Sequence, residues 1–358
     1  MPPAAVVFLR SGGSGWRNML YWERKEGRRP MMIADAHNDA LLEIENPEAG
    51  LTDERKHVSL NKMKRGGVSL MTFAAFSTDP KKNGSMIHMG LDAVDRFYRM
   101  LAAHEGELVQ ALRPEDVYAA QKAGKPAAML SVEGGDIIEG DIGVLRLLVR
   151  LGVRMFGLCW SLGNQICSGV ADAEDTGLTD VGYEVIRECG RMGVIVDLSH
   201  ASDRTTWQVL ESAEKPPCAS HSCARALCPD QERDLTDEML DCFGKRGGYI
   251  GVNFCHDFLV GGGYPIDHLA TIDDVVRHIE YMASRAGAEH IGLGSDYDGI
   301  GRVPVGLEDC SKLGAIYDAL LRRNWKESDA HGVMGENFLR YWARVQAAAA
   351  WSTGRSWI

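Results

Sequence analysis

Val194-Ile195-Val196-Asp197-Leu198-Ser199-His200 is a short β-branched apolar run that ends in an acid, a serine and a histidine. It does not alternate between apolar and polar positions, as a strand with one wet face would. Both faces are therefore expected to be buried, the condition of a parallel strand covered by helices. Seven further runs have the same make: Met31–His37, Val68–Phe76, Ala127–Glu133, Val153–Trp160, Cys218–His221, Tyr249–Phe254 and His290–Asp296. Helical periodicity fills most of the gaps, from Met86 to Ala111, Gly143 to Arg150, Asp180 to Met192, Asp203 to Ala213, Thr236 to Arg246 and Ile272 to Ala286. A helical region from Trp325 to Ala350 closes the series, and Asp180, Asp203 and Thr236 are the expected N-caps. Eight strands alternating with helices in one unbroken series predict an α/β fold, a closed (β/α)₈ TIM barrel of the metal-dependent hydrolase type over residues 31–350.

Residues 1–30 contain six basic side chains and a Gly/Ser patch at 11–15, and read as a poorly ordered extension; residues 351–358 read as a tail. The 358-residue chain is 45% hydrophobic and 25% charged, with a formal charge of −11 and no long basic run, which argues against a nucleic-acid partner. No apolar run reaches the ~18 residues needed to span a bilayer. The nine cysteines include no C-x-x-C pair. Cys218, Cys223 and Cys228 recur every five residues, which is not a zinc-finger spacing. Reduced thiols in a soluble cytoplasmic protein are expected.

The polar ends of the runs carry the chemistry. They read Asp35-Ala36-His37-Asn38-Asp39, Glu133-Gly134-Gly135, Asp197-Leu198-Ser199-His200, Ser220-His221-Ser222 and Ser295-Asp296-Tyr297-Asp298-Gly299. In a (β/α)₈ barrel the C-terminal strand ends converge on one mouth, so these residues share a pocket. A single catalytic zinc takes three protein ligands. Here the set is larger, and two ions account for it: His37 and Asp39 on one, His200 and His221 on the other, Glu133 bridging. Two ions ~3.5–4 Å apart share a hydroxide and polarise a carbonyl. Asp296 is then the general acid/base beside it. Asp35 and Asp197, inside their runs, read as structural, and Asp298 as a turn residue before Gly299. His57, His88, His104, His256, His268, His278, His290 and His331 read as surface or packing residues, His256 the least clear of them because it follows the seventh run.

Taken together and in order, these five motifs resemble the renal or membrane dipeptidase family of zinc peptidases, and Gly335-Glu336-Asn337-Phe338 resembles a motif near that family's C-terminus. The resemblance runs from about Met32 to about Trp342. It implies a barrel with two Zn²⁺ per chain and hydrolysis of dipeptides, including those with a D-residue at the C-terminal position. It implies the same ligand set, with Glu133 as the bridge and Asp296 beside the reaction centre. Arg233 resembles the arginine that holds the substrate's free carboxylate, a role that suits a planar guanidinium; Arg225 is its rival. Trp160 stands where mammalian members carry a substrate-contacting histidine, and with Asn164 in the same stretch is assigned to substrate binding. Asp234 follows Arg233 where asparagine is common, and is expected to compete for the guanidinium. Members of the family are often homodimers. The same barrel and ligand order also fit an amidohydrolase acting on N-acyl amino acids or related small amides. A barrel kept only as a binding scaffold would be expected to have lost one of Glu133, His200, His221 or Asp296.

Overall fold

The strands observed are β1 (Ala34–Asn38), β2 (Leu70–Phe76), β3 (Val109–Gln110), β4 (Ala127–Glu133), β5 (Val153–Gly157), β6 (Ile195–Asp197), β7 (Cys218–Ser222), β8 (Tyr249–Val252) and β9 (Ile291–Leu293). The computed structural model describes residues 31–77, 84–261, 269–347 and 349; the expected extension at 1–30, the tail at 351–358 and His268 lie outside them. Every strand pair is parallel. β1 pairs with both β2 and β9, and β2 pairs with β4, so eight strands close into the expected (β/α)₈ barrel. The ninth, β3, lies outside the ring: Val109 and Gln110 pair with Ala127 and Ala128, below the level at which β5 joins β4 at Leu130.

The near-continuous apolar runs are buried as their composition demands, with β1, β4, β7 and β8 covered along their whole length. Four strands stop short of the polar ends assigned to them. β5, β6, β8 and β9 end at Gly157, Asp197, Val252 and Leu293, so that Trp160, His200, Asn253 and Asp296 sit just past the ladder, in the mouth. There the backbone is free to turn a side chain toward the barrel axis.

Three helical expectations need correction. The helix that begins at Met86 ends at Ala103, not Ala111. Gly106 turns the chain at φ 79°, and the apolar residues beyond it serve β3. A helix at Pro114–Lys122 then follows, its first turn favoured by the fixed φ of Pro114. The N-caps of two helices lie one residue earlier than expected: Thr179 accepts from the Gly182 amide and Ser202 from the Thr205 amide, while Asp180 and Asp203 occupy the first turn. There their charge still favours the positive end of the helix. Thr236 is the N-cap expected of it. Finally, the C-terminal region is Gly314–Arg322, Glu327–His331, a π-turn at Gly332–Glu336 and Asn337–Gln346 rather than one continuous stretch.

That last helix seals the barrel floor. Phe338, Tyr341, Trp342 and Val345 share one apolar cluster with Ala34, Leu70, Ala127, Ile195, Cys218 and Tyr249, the first residues of six strands. The Gly-Glu-Asn-Phe motif supplies the seal. A Cβ on Gly335 would lie 2.7 Å from the Ala34 amide nitrogen, so only glycine lets the helix approach β1 this closely. Asn337 donates from Nδ2 to the carbonyls of Ala288 and Ile291, both at 2.7 Å, tying the helix to the start of β9. Packing at the floor of such a barrel serves stability rather than chemistry. Asn337→Ala leaves two carbonyls without their donor and is expected to cost about 1–3 kcal/mol in denaturant unfolding, with the strand ends at the opposite end of the barrel undisturbed.

Candidate metal centre and active site

Two buried aspartates set the positions of the mouth residues. Asp35 on β1 accepts from the amide (2.8 Å) and hydroxyl of Ser295, fixing the chain one residue before Asp296. Asp197 on β6 accepts from the amide (2.7 Å) and hydroxyl of Ser220, one residue before His221. Each clamp crosses between neighbouring strands, so both aspartates have the structural place assigned to them.

Five side chains on, or just past the ends of, β1, β4, β6 and β7 then meet. His37 Nε2 lies 3.4 Å from Asp39 Oδ2 and 3.5 Å from Glu133 Oε2. On the other side of Glu133, Oε1 lies 2.9 Å from His200 Nε2 and 3.8 Å from His221 Nε2. The two imidazole nitrogens of His200 and His221 are 3.0 Å apart, and the rings of His37 and His221 stack at 3.7 Å. Glu133 thus belongs to two overlapping groups, His37/Asp39/Glu133 and Glu133/His200/His221, each with its ligand atoms within 4.8 Å of one another.

The electrostatics of the cluster are those of charges forced together away from water. Burial works against a charge on His37, but the carboxylates of Glu133 and Asp39 outweigh it and raise the imidazole well above its usual range. Burial, then the Glu133 charge, pushes Asp39 well up. Burial also opposes ionisation of Glu133, yet His37 and the hydrogen bond from His200 hold it well below the ordinary carboxylate value. Burial first lowers His200 and His221, then the positive charges nearby, so both favour the neutral form that binds metal. His37 Nε2 and Asp39 Oδ1 are buried without a hydrogen-bond partner. Such orphaned atoms are costly unless something else satisfies them, and a divalent cation among these N and O donors does so.

Asp296 stands at the rim with φ 62°, a left-handed backbone that aims its carboxylate inward. Its Oδ1 is 3.9 Å from His37 Nε2, and its Oδ2 accepts from Asn253 Nδ2 at 2.9 Å. Asn253 was missed; its only signal is a lone amide closing the otherwise apolar Tyr249–Phe254 run. Asp298, also left-handed at φ 67°, accepts from the amides of His57 (2.7 Å) and Val58 (3.0 Å) and so anchors a neighbouring loop.

Arg233 is 9% exposed and donates to Ser222 Oγ and the His221 carbonyl, both at 2.9 Å, with its Nε left over. The rival, Arg225, is spent on Asp203, with both guanidinium ends bound. Asp234 forms no ion pair with Arg233. Burial, against the pull of Arg233, lifts its pKa to about 8, which works against the charge that would compete for the guanidinium. Trp160 packs edge-on against Phe76 at 5.5 Å and lies 6.1 Å from the His200 ring, placing an aromatic wall beside the cluster. Asn164 is engaged within its own loop. Its amide donates to Asp136 and the Leu158 carbonyl and accepts from Ile166 and Cys167, so every hydrogen-bonding position is used in shaping its own loop. His256 accepts from the Ala270 amide and His278 from the Ala224 amide, and among the described residues neither belongs to a group of metal-capable side chains.

With this geometry the chain can be set against known proteins. It matches the model of the membrane dipeptidase family, peptidase family M19, over residues 25–356. The chain belongs to the membrane dipeptidase family. Its relatives include Dipeptidase 3 of Rattus norvegicus, 31% identical over 341 residues that cover 92% of this chain and 68% of that protein. Another is an uncharacterized dipeptidase of Schizosaccharomyces pombe, 33% identical over 372 residues, covering 93% and 88%. Among solved structures, the dipeptidase AC, a metallopeptidase of family M19, superposes with a TM-score of 0.82 at 27% identity, covering 89% of this chain and 99% of that one. A metallopeptidase from Rhodobacter sphaeroides, liganded with a phosphinate mimic of the dipeptide L-Ala-D-Ala, does so with the same TM-score and identity, covering 88% and 99%. This M19 peptidase is a metal-dependent dipeptidase, a hydrolase of peptide bonds. Among its described residues no helix is long and apolar enough to cross a membrane.

One backbone position in the dipeptidase separates the centre from the rest of the fold. A Cβ on Gly299 would stand 2.1 Å from Asp39 Oδ2 and 2.6 Å from Asp296 Oδ1. Gly299→Ala is therefore expected to displace both carboxylates and lower activity by at least ~10-fold, with little change in thermal midpoint; a melting curve beside a rate measurement separates the two effects.

Proposed function

We propose that the M19 cluster holds two zinc ions, one on His37 and Asp39, one on His200 and His221, with Glu133 shared. The observation that carries this is the membership of Glu133 in two of the three groups of metal-capable side chains among the described residues, the third being His37, Asp197 and His221. Mixed imidazole and carboxylate donors suit Zn²⁺ and accept neighbouring divalent ions as well. Bound there, the ions supply an activated water and polarise the scissile carbonyl.

The chain's own residues do the rest. Asp296, oriented through Oδ2 by Asn253, takes the proton of the attacking water on its free oxygen and returns it to the leaving amine. Arg233 is prepaid: two hydrogen bonds already fix its guanidinium, and its remaining N–H groups bind the substrate's C-terminal carboxylate with little ordering cost. Binding of that carboxylate restricts the enzyme to very short peptides. Trp160 and Phe76 shut one side of the mouth against water. A D-residue at the C-terminal position fits this reading, given that the Rhodobacter sphaeroides relative binds a mimic of L-Ala-D-Ala. Nine cysteines held as thiols accord with a cytoplasmic protein, and a homodimer accords with the family.

N-acyl amino acids also present a carboxylate to Arg233, and differ only at the amino end. An assay of L-L dipeptides, L-D dipeptides and N-acyl amino acids therefore decides the substrate class. The expected outcome is dipeptide turnover that chelation abolishes, Zn²⁺ restores and Glu133→Gln lowers by at least ~100-fold. Turnover of N-acyl amino acids alone would reassign the substrate while leaving the centre intact.

A further inference from the structure

Ser220 belongs to neither ligand group, but counting its hydrogens settles the state of a residue that does. Asp197 Oδ1 collects Ser199 N at 3.2 Å, Ser199 Oγ at 2.8 Å and Ser220 N at 2.7 Å, and Oδ2 takes the Ser220 hydroxyl. A carboxylate surrounded by donors in this way is an acceptor at every contact. Ser220 has a single hydroxyl hydrogen, and Asp197 takes it. Ser199 Oγ, 3.1 Å away, has likewise given its hydrogen to Asp197, and accepts from the His221 amide at 3.0 Å. The 2.8 Å contact between Ser220 Oγ and His221 Nδ1 can then run only one way: the ring nitrogen donates and the hydroxyl accepts.

We infer that Ser220, backed by Asp197, is a positioning residue that fixes His221 as its Nδ1–H tautomer and keeps the Nε2 lone pair directed at Glu133 and His200. The inference rests on the reading of Glu133, His200 and His221 as a ligand group, because only a ring with a free Nε2 lone pair binds metal through that atom. The second clamp shows that this is no general property of the design. Ser295 is held by Asp35 through the same amide and hydroxyl pair, yet its oxygen accepts from the Tyr297 amide at 3.1 Å and touches no ring. One clamp holds a loop; the other also orients an imidazole.

The test is ¹⁵N-histidine NMR on the chelated protein, which reads the tautomer of His221 without any metal, paired with zinc titration against a competing chelator. In the wild type His221 is expected as Nδ1–H. Ser220→Ala is expected to lose that preference and to weaken the binding of one of the ions by about 10–100-fold. Ser220→Thr, which restores the hydroxyl, is expected to recover both, and Ser295→Ala to leave the His221 tautomer as in the wild type. His221 found as Nε2–H in the wild type, or unchanged as Nδ1–H in Ser220→Ala, would overturn the inference. Failure of zinc to bind the wild type, with the tautomer as expected, would instead overturn the ligand reading and leave the positioning intact.

Discussion

Glu133 is asked to serve two sets of partners at once, and most of the structure can be read as support for that demand. A buried carboxylate facing three imidazoles and a second carboxylate is a poor arrangement in any isolated segment of chain. Burial alone would protonate the acids and neutralise the bases. Instead Glu133 stays ionised, Asp39 is driven up by the charge of Glu133, and two buried atoms of His37 and Asp39 are left unpartnered. A protein tolerates such strain only when the surrounding fold over-determines it. Here the closed parallel barrel does so by converging four strands on one point. The Asp35–Ser295 and Asp197–Ser220 clamps lock the strand ends against each other, and the C-terminal helix closes the far end with an apolar floor.

The division of labour along the barrel axis explains why some parts were legible in the sequence. Each of the five clustered residues ends or closely follows a short, largely apolar run, and a charged group at such a place has few structural uses. Asp35 and Asp197 were legible for the opposite reason, since they interrupt their runs and must be paid for by hydrogen bonds from a neighbouring strand. Helix ends were less so. Thr179 and Ser202 took the caps from the aspartates beside them because either residue of such a pair satisfies the same rule, and the choice depends on where the chain enters the helix. The segment after Ala103 reads as helix because its apolar spacing continues across Gly106, although Val109 and Gln110 pair with β4 as a strand.

Substrate-side residues were the hardest to read, because their roles depend on distances between loops. Arg225 and Arg233 lie eight positions apart in the same loop, and only the ion pair with Asp203 takes the first out of contention. Asn164 looks like a recognition amide in sequence but is consumed by its own loop. Asp234 looks like a competing charge, but burial works against its ionisation. For the two arginines and Asn164 the deciding quantity is whether a polar group is already satisfied, which no spacing reveals. The same criterion, applied in reverse, marks His37 and Asp39 as residues still waiting for a partner.

The central claim is that Glu133 lies between two metal sites. Anomalous diffraction at the zinc edge, from crystals of the zinc-loaded chain, tests it most directly. The account predicts two peaks, one beside His37 and Asp39 and one beside His200 and His221, with a Glu133 oxygen on each. A single peak, or two peaks of which one is not bound by Glu133, would contradict it.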